Sequence, residues 1–405
     1  MENEYVKKLT GKNNKDFEFA AAHIINNCDV EAFSALVDKS DFLFDFIKEN
    51  VKKRLANVIT SYNYKNLLCF LKTYSSDYED LIVSTLVKFA NEDLTDEMLN
   101  RLEHGTDEEK AYCAKYFSKI NDTLAIDFLR KYSYSEFDAL SINCAEALSA
   151  MNDKDSYNLA VEKLDSNDEF EKLSAVKFLV AYKNENALDS LFEVMKKSSM
   201  HENIAAEIPY LKSFTEMIET NRKDDVILAL CYILEGLGEI ISLVQVFDFQ
   251  LFEILQKLIE NQLLEKNSKV ASLLLSAKLK FEQLTENDEY IFDEDKSTKQ
   301  EIYEIKDLLL SQSDNFWSEQ TDLFQNELNE NSDFVFTALE LALDLNLQNA
   351  FEKLKPLLNS SNQTIILKTV EVIKSLNKLS EIDKNTILEH VSDENIKLII
   401  QSLFG

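Results

Sequence analysis

The stretch Thr106–Ser133, TDEEKAYCAKYFSKINDTLAIDFLRKYS, decides the fold once it is set above the two stretches that follow it. These are SEFDALSINCAEALSAMNDKDSYNLAVEKLDS (135–166) and DEFEKLSAVKFLVAYKNENALDSLFEVMKKS (168–198). Each opens on a polar cap, runs through an apolar pattern of helical period, breaks at an Asn/Asp-rich turn and closes with a second amphipathic run. Cys113, Cys144 and Ala175 fall in equivalent places at a spacing of 31 residues. Phe117, Leu148 and Leu179 keep the same step, as do Ile120, Met151 and Tyr182, and the turns follow at Asp122, Asp153 and Asn184. A repeat of this length with two helical runs is one hairpin that cannot bury its apolar face alone and must stack on its neighbours.

The helix starts repeat as well. Thr106 with Glu109 and Asp168 with Glu171 have the spacing of a capping box, in which each side chain satisfies an orphan N–H of the other's turn. Asp77 with Asp80 and Ser135 with Asp138 are shorter-armed versions. The same grammar reaches both ends. DFEFAAAHIINNCDVEAFSALVDKS (16–40) is an early hairpin with its turn at Asn26–Asp29. FVFTALELALDLNLQNAFEKLKPLLNSS (334–361) and TIILKTVEVIKSLNKLSEIDKNTILEHVSD (364–393) match at the same offset, pairing Ala342 with Ile373, Leu345 with Leu376 and Phe351 with Ile382. The expected architecture is all-α, an α-solenoid of about ten to twelve stacked antiparallel helical hairpins with atypical terminal units. The segment TENDEYIFDEDKSTKQE (285–301) breaks the grammar and reads as an acidic inter-repeat loop, dividing a main segment 1–284 from C-terminal repeats 302–405.

This pattern resembles HEAT repeats, above all the short bacterial kind similar to those of phycobilisome lyases. The likeness is clearest over residues 77–199 and rests on periodicity; the proline and basic residue common in eukaryotic HEAT helices are missing. Tetratricopeptide stacking fits less well, since no 34-residue spacing and no recurring Trp/Gly/Tyr/Pro pattern is found. The resemblance implies an extended binding surface, with help in attaching or removing a tetrapyrrole as an alternative activity.

Composition agrees with helices and excludes several functions. Five glycines and two prolines in 405 residues leave too few turn residues for a sheet protein. With 43 Lys and Arg against 73 Asp and Glu, the formal charge of −30 repels nucleic acid and anionic membranes, and with them a HEAT-like DNA glycosylase. The N-terminal MENEYVKKLTGKNNKDFEF has no apolar run and reads as neither signal peptide nor anchor. VILALCYILEGLGEIISLVQVF (226–247) is long enough to span a bilayer, but Glu235 and Glu239 argue for a helix, a glycine-marked turn and a second buried helix. Cys28, Cys69, Cys113, Cys144 and Cys231 are scattered and odd in number, which suits reduced thiols in a cytoplasmic protein. Matching inner positions make Cys113 and Cys144 small core residues.

Chemistry is sparse. His23, His104, His201 and His390 sit in separate repeats with no H-E-x-x-H, and the acidic loop lacks the order and glycine of an EF-hand. No phosphate-binding glycine loop occurs. No cofactor, metal or catalytic residue is expected. The reading is a non-enzymatic scaffold whose partner is another protein, with a basic patch as the complementary chemistry. Its contact residues are expected on the second helices, at Asp127, Arg130, Glu162, Lys163, Ser190, Glu193 and Lys196. Trp317, the lone tryptophan in DNFWSEQTDLF (314–324), is read either as a staple for its helix or as an interface anchor.

Overall fold

The computed structural model describes residues 3–11, 14–40, 42–43, 45–218, 222–236, 251–260, 267–283 and 306–405. It is 79 % helix, with no strand among the described residues. The segment 285–301, expected as a loop and a boundary, lies outside the described residues, as does the second helix expected after Gly236. Two compact units divide the chain, Met1–Ala187 and Leu188–Gly405.

The first unit contains α1 (Glu4–Thr10), α2 (Asn14–Asn26), α3 (Val30–Ser40), α4 (Asp45–Val58), a 3-10 segment Tyr64–Lys72 and α5 (Ser76–Lys88). It continues through α6 (Glu92–His104), α7 (Asp107–Ile120), α8 (Ile126–Tyr132), α9 (Asp138–Ala150), α10 (Lys154–Lys163) and α11 (Glu169–Ala181). The first helices of successive hairpins pack in sequence, α5 on α7, α7 on α9 and α9 on α11, while α6, α8 and α10 each lie against the first helix that follows. Cys113, Cys144 and Ala175 are fully buried along this row, with Phe117, Leu148 and Leu179 beside them. Small side chains at the first position let neighbouring helices approach, and the large ones at the second fill the space left over.

The hairpin turns have one backbone solution. Asn121, Asn152 and Lys183 all take left-handed φ values, 57°, 55° and 56°, at the repeat spacing, and Asn346 and Asn377 do so in the second unit. One residue on, Asp153 donates its N–H to the Leu148 carbonyl, Leu347 to Ala342 and Lys378 to Ile373. This is the Schellman closure, which satisfies a carbonyl left open at a helix C-terminus. A short 3-10 turn follows, seating buried Ala125, Ala187 and Ala350.

The cap expectations divide. Thr106 and Glu109 form the full box, with Thr106 Oγ1 accepting from the Glu109 N–H at 3.4 Å and Glu109 Oε2 accepting from the Thr106 N–H at 3.0 Å. Gly105 leaves room for the box, because a Cβ there would stand 3.0 Å from the Glu109 Cβ and 3.0 Å from its Oε2. Asp168 caps α11 at the Phe170 N–H, 2.9 Å, but Glu171 turns away to the Ser166 hydroxyl at 2.7 Å, so only half the box forms. The other two starts need correction. Asp77 lies inside the first turn of α5 and pairs with Lys48 at 3.3 Å, and Ser135 accepts from the Phe137 N–H three residues before α9 begins. Serine there satisfies a local turn, which competes with helix capping.

The cysteine reading also needs correction. Cys28 and Cys69 are joined by a disulfide across 5.9 Å between Cα atoms. Cys28 sits at the left-handed turn after α2, where the backbone comes closer to its neighbour than two packed helix axes can. Cys113, Cys144 and Cys231 are free and buried; burial pushes the Cys113 and Cys144 thiols far above their ordinary range.

The second unit contains α12 (Leu188–Lys197), α13 (His201–Leu211), α14 (Phe214–Ile218), α15 (Lys223–Gly236), α16 (Leu251–Glu260) and α17 (Ser268–Gln283). After these come α18 (Asp314–Phe324), α19 (Val335–Asp344), α20 (Phe351–Leu354), α21 (Gln363–Ser375), α22 (Lys384–Glu389) and α23 (Glu394–Leu403). Sequential packing recurs, α13 on α15, α15 on α17, α17 on α19, α19 on α21 and α21 on α23. Ala342 with Ile373 and Phe351 with Ile382 all join one core cluster, as the sequence offset requires. No described helix is long and apolar enough to cross a membrane.

Candidate functional site

Two places in the structure have the makings of a site, one in each unit. The seven residues expected on the second helices are largely occupied within the chain. Arg130 of α8 clamps Asp153 with two bonds, Nε to Oδ2 at 2.9 Å and Nη2 to Oδ1 at 2.5 Å, and reaches Asp155 at 3.1 Å. Those Arg130 bonds hold the Asp153 carboxyl below its ordinary value. Lys163 pairs with Glu171 at 3.3 Å, with its ammonium 3.9 Å from the centre of the Tyr134 ring. Lys196 pairs with Asp225 at 2.8 Å and Glu193 at 3.5 Å. Asp127 and Glu162 are exposed, and Ser190 is half-buried. Sequence spacing located the charged face, but most of its cations join one repeat to the next.

Trp317 is half-buried against the core of the second unit, its ring meeting Phe316 edge-on at 5.0 Å and the Lys278 ammonium at 5.4 Å.

In the first unit a groove of about 240 Å³ runs between the N-terminal halves of α9 and α11 and under the α8–α9 link. Ile142 and Phe170 stand on its walls with 42 % and 73 % of their surface open to solvent. Lys177 and Asp138, 3.2 Å apart, close one side. Tyr134 lies in the lining, stacked on Phe178 at 5.6 Å, with its hydroxyl buried and unpartnered. Burial pushes that phenol up to about 12. Sequence reasoning passed over this groove because it looked for charge on second helices, whereas the apolar exposure lies on first helices. Phe170, a large aromatic in the opening turn of a helix, was the available signal.

In the second unit a smaller cavity, about 150 Å³, is lined by Glu235, Ser276, Leu279, Thr337, Glu340, Leu341 and Asp344. At its edge His201 Nε2 stands 3.7 Å from Glu235 Oε2. His201, Glu202 and Glu235 each place one donor atom within 4.8 Å of the others, a spacing within reach of a metal ion. The four histidines are isolated in sequence, but the fold gives His201 two carboxylate neighbours. Glu235 carried a signal of its own, as a carboxylate at the end of the unbroken buried run Val226–Leu234.

Comparison with known proteins adds no relative: no family model matches the chain, and no curated protein matches it.

Proposed function

We propose that this protein is a non-enzymatic scaffold of HEAT-like stacked hairpins, ten to twelve in a superhelix, acting by holding a segment of another protein. The observation that carries the reading is the α9–α11 groove, where Phe170 and Ile142 remain open to solvent beside an unpartnered tyrosine hydroxyl. Single exposed apolar residues are ordinary, but an aromatic and an aliphatic side chain flanking one concavity are what a peptide anchor requires. A partner segment with an apolar anchor and basic flanks suits both the groove and the charge of −30. Nucleic acid is outside this reading, for the same charge.

The tetrapyrrole alternative gains nothing from the second cavity. A pigment of that size needs an apolar pocket several times larger than 150 Å³, and the carboxylates there would repel its acidic side chains.

The experiment is affinity capture from the native host with wild type, Phe170→Asp and Arg130→Ala side by side. A partner retained by wild type and Arg130→Ala but lost from a folded Phe170→Asp supports the reading. A partner that ignores Phe170→Asp and leaves with Arg130→Ala overturns the assignment to the groove.

A further inference from the structure

The His201–Glu235 contact presents an electrostatic problem that its surroundings do not solve. His201 Nδ1 lies 3.3 Å from the Ser198 carbonyl oxygen. In the neutral ring the nitrogen that faces a carbonyl is the one that carries hydrogen, which leaves Nε2 with its lone pair. That Nε2 faces Glu235 Oε2 at 3.7 Å, both atoms are shut off from solvent, and neither has a hydrogen-bond partner among the described residues. Two acceptors turned toward each other in a dry place call for a cation between them.

Three further features point the same way. Glu202, one residue after His201 in the first turn of α13, brings a second carboxylate to the pair. It reaches there because residue 236 is glycine: a Cβ at that position would lie 2.9 Å from the Glu202 Cβ and 3.0 Å from its Oε2. Thr337, only 2 % exposed, offers an unpartnered hydroxyl to the cavity it shares with Glu235. The Lys368 ammonium is bonded by Glu340 and lies 3.7 Å from Glu371, and it acts on Glu235 through space.

We propose that His201, Glu202 and Glu235 bind one divalent first-row transition ion, with the cavity beside Glu235 holding the water molecules that complete its coordination. One imidazole nitrogen and two carboxylate oxygens suit ions such as Zn²⁺, Mn²⁺ and Co²⁺, whereas Ca²⁺ prefers an all-oxygen set. Adjacent ligand atoms on one ion stand roughly 3.0–3.4 Å apart at bonds of about 2.1 Å, so donor atoms that now lie within 4.8 Å of one another draw in by up to about 1–2 Å on binding. The ion would lie against two half-buried carboxylates and tie the start of α13 to the end of α15. Thr337 is placed to accept a hydrogen bond from a bound water, which gives its hydroxyl the partner it otherwise lacks.

The test uses the full chain stripped with chelator and titrated with Zn²⁺, Co²⁺ and Ca²⁺. One Zn²⁺ per chain is expected, bound at least 10-fold more tightly than Ca²⁺, with a visible Co²⁺ absorption band from inner-sphere ligands. His201→Gln and Glu235→Gln should each weaken Zn²⁺ at least 10-fold. Gly236→Ala should weaken it by pushing Glu202 aside while keeping every ligand. Should the first two variants fail to fold, nuclear magnetic resonance of wild type decides: substoichiometric Mn²⁺ should broaden His201 and spare His23, His104 and His390. Zn²⁺ and Ca²⁺ binding alike, binding that survives His201→Gln, or broadening centred on another histidine overturns the proposal. The first of these outcomes would assign the affinity to the general negative charge of the surface.

Discussion

At the scale of single residues, the left-handed turn positions govern how tightly each hairpin closes. Asparagine tolerates that conformation because its short polar side chain bonds locally, whereas a β-branched residue crowds the following carbonyl. Asn152→Val is expected to cost about 1–2 kcal/mol in urea unfolding, and Asn152→Gly to lie within a few tenths of wild type. Lys183, at the same point of the next repeat with φ 56°, has no such help, but its ammonium bonds Glu146 at 2.6 Å, a contact that Lys183→Asn would give up. These positions were half legible: Asn121 and Asn152 are turn residues by type, while Lys183 and Cys28 reveal themselves only through backbone geometry. The disulfide was illegible for a related reason, because pairing across 41 residues depends on how closely a turn approaches its neighbour. Cys69→Ser should lower stability by about 2–4 kcal/mol under oxidising conditions, and the difference should vanish in reductant.

At the scale of elements, a line of charge runs through the stacked first helices. Lys115 of α7 pairs with Glu146 of α9 at 2.6 Å and lies 3.8 Å from Glu79 of α5, and Lys183 reaches Glu146 at 2.6 Å. Glu79 also accepts from Asn143 at 2.6 Å and from the Tyr74 hydroxyl at 3.1 Å. The two glutamates shift in opposite directions. Burial outweighs these bonds at Glu79 and raises its carboxyl, while at Glu146 burial is overcome by the two lysines and the carboxyl is lowered. A lowered carboxyl contributes stability that is present above about pH 4 and lost as pH falls through its folded value. Glu146, and Asp153 likewise, therefore weaken the first unit in acid. A raised carboxyl acts the other way: its contribution is complete in acid and lost as pH rises through its folded value. Glu79→Gln should accordingly gain on wild type between pH 4 and pH 8, as read by denaturant midpoints at both. Leu148→Ala, which empties a fully buried position in the same row, should cost about 2–5 kcal/mol at either pH.

At the scale of the whole molecule, charge separates partners. A chain at −30 should show no measurable affinity for duplex DNA or RNA at physiological salt, a point checked by fluorescence anisotropy. The stacked-hairpin order was legible because period, cap and turn repeat together and set Cys113, Cys144 and Ala175 along one packed row. The candidate sites were not. His201 and Glu235 stand at opposite ends of a run of three helices, α13 to α15, and the way α13 meets α15 brings them together. The α9–α11 groove depends on which apolar residues find no cover, a property of packing that periodicity cannot express.

The line of charge also bears on how such a chain could have grown. Position for position, Lys115, Glu146 and Lys177 stand 31 residues apart and alternate in sign. Copying the hairpin that carries Glu146 would set two half-buried glutamates side by side on adjacent helices with one lysine fewer than alternation supplies. Copying two hairpins together would preserve the alternation. Lengthening by tandem duplication is therefore tolerated in even steps here, and a gene carrying one extra copy of residues 122–152 would need a compensating change of sign before its product packed as well as its parent.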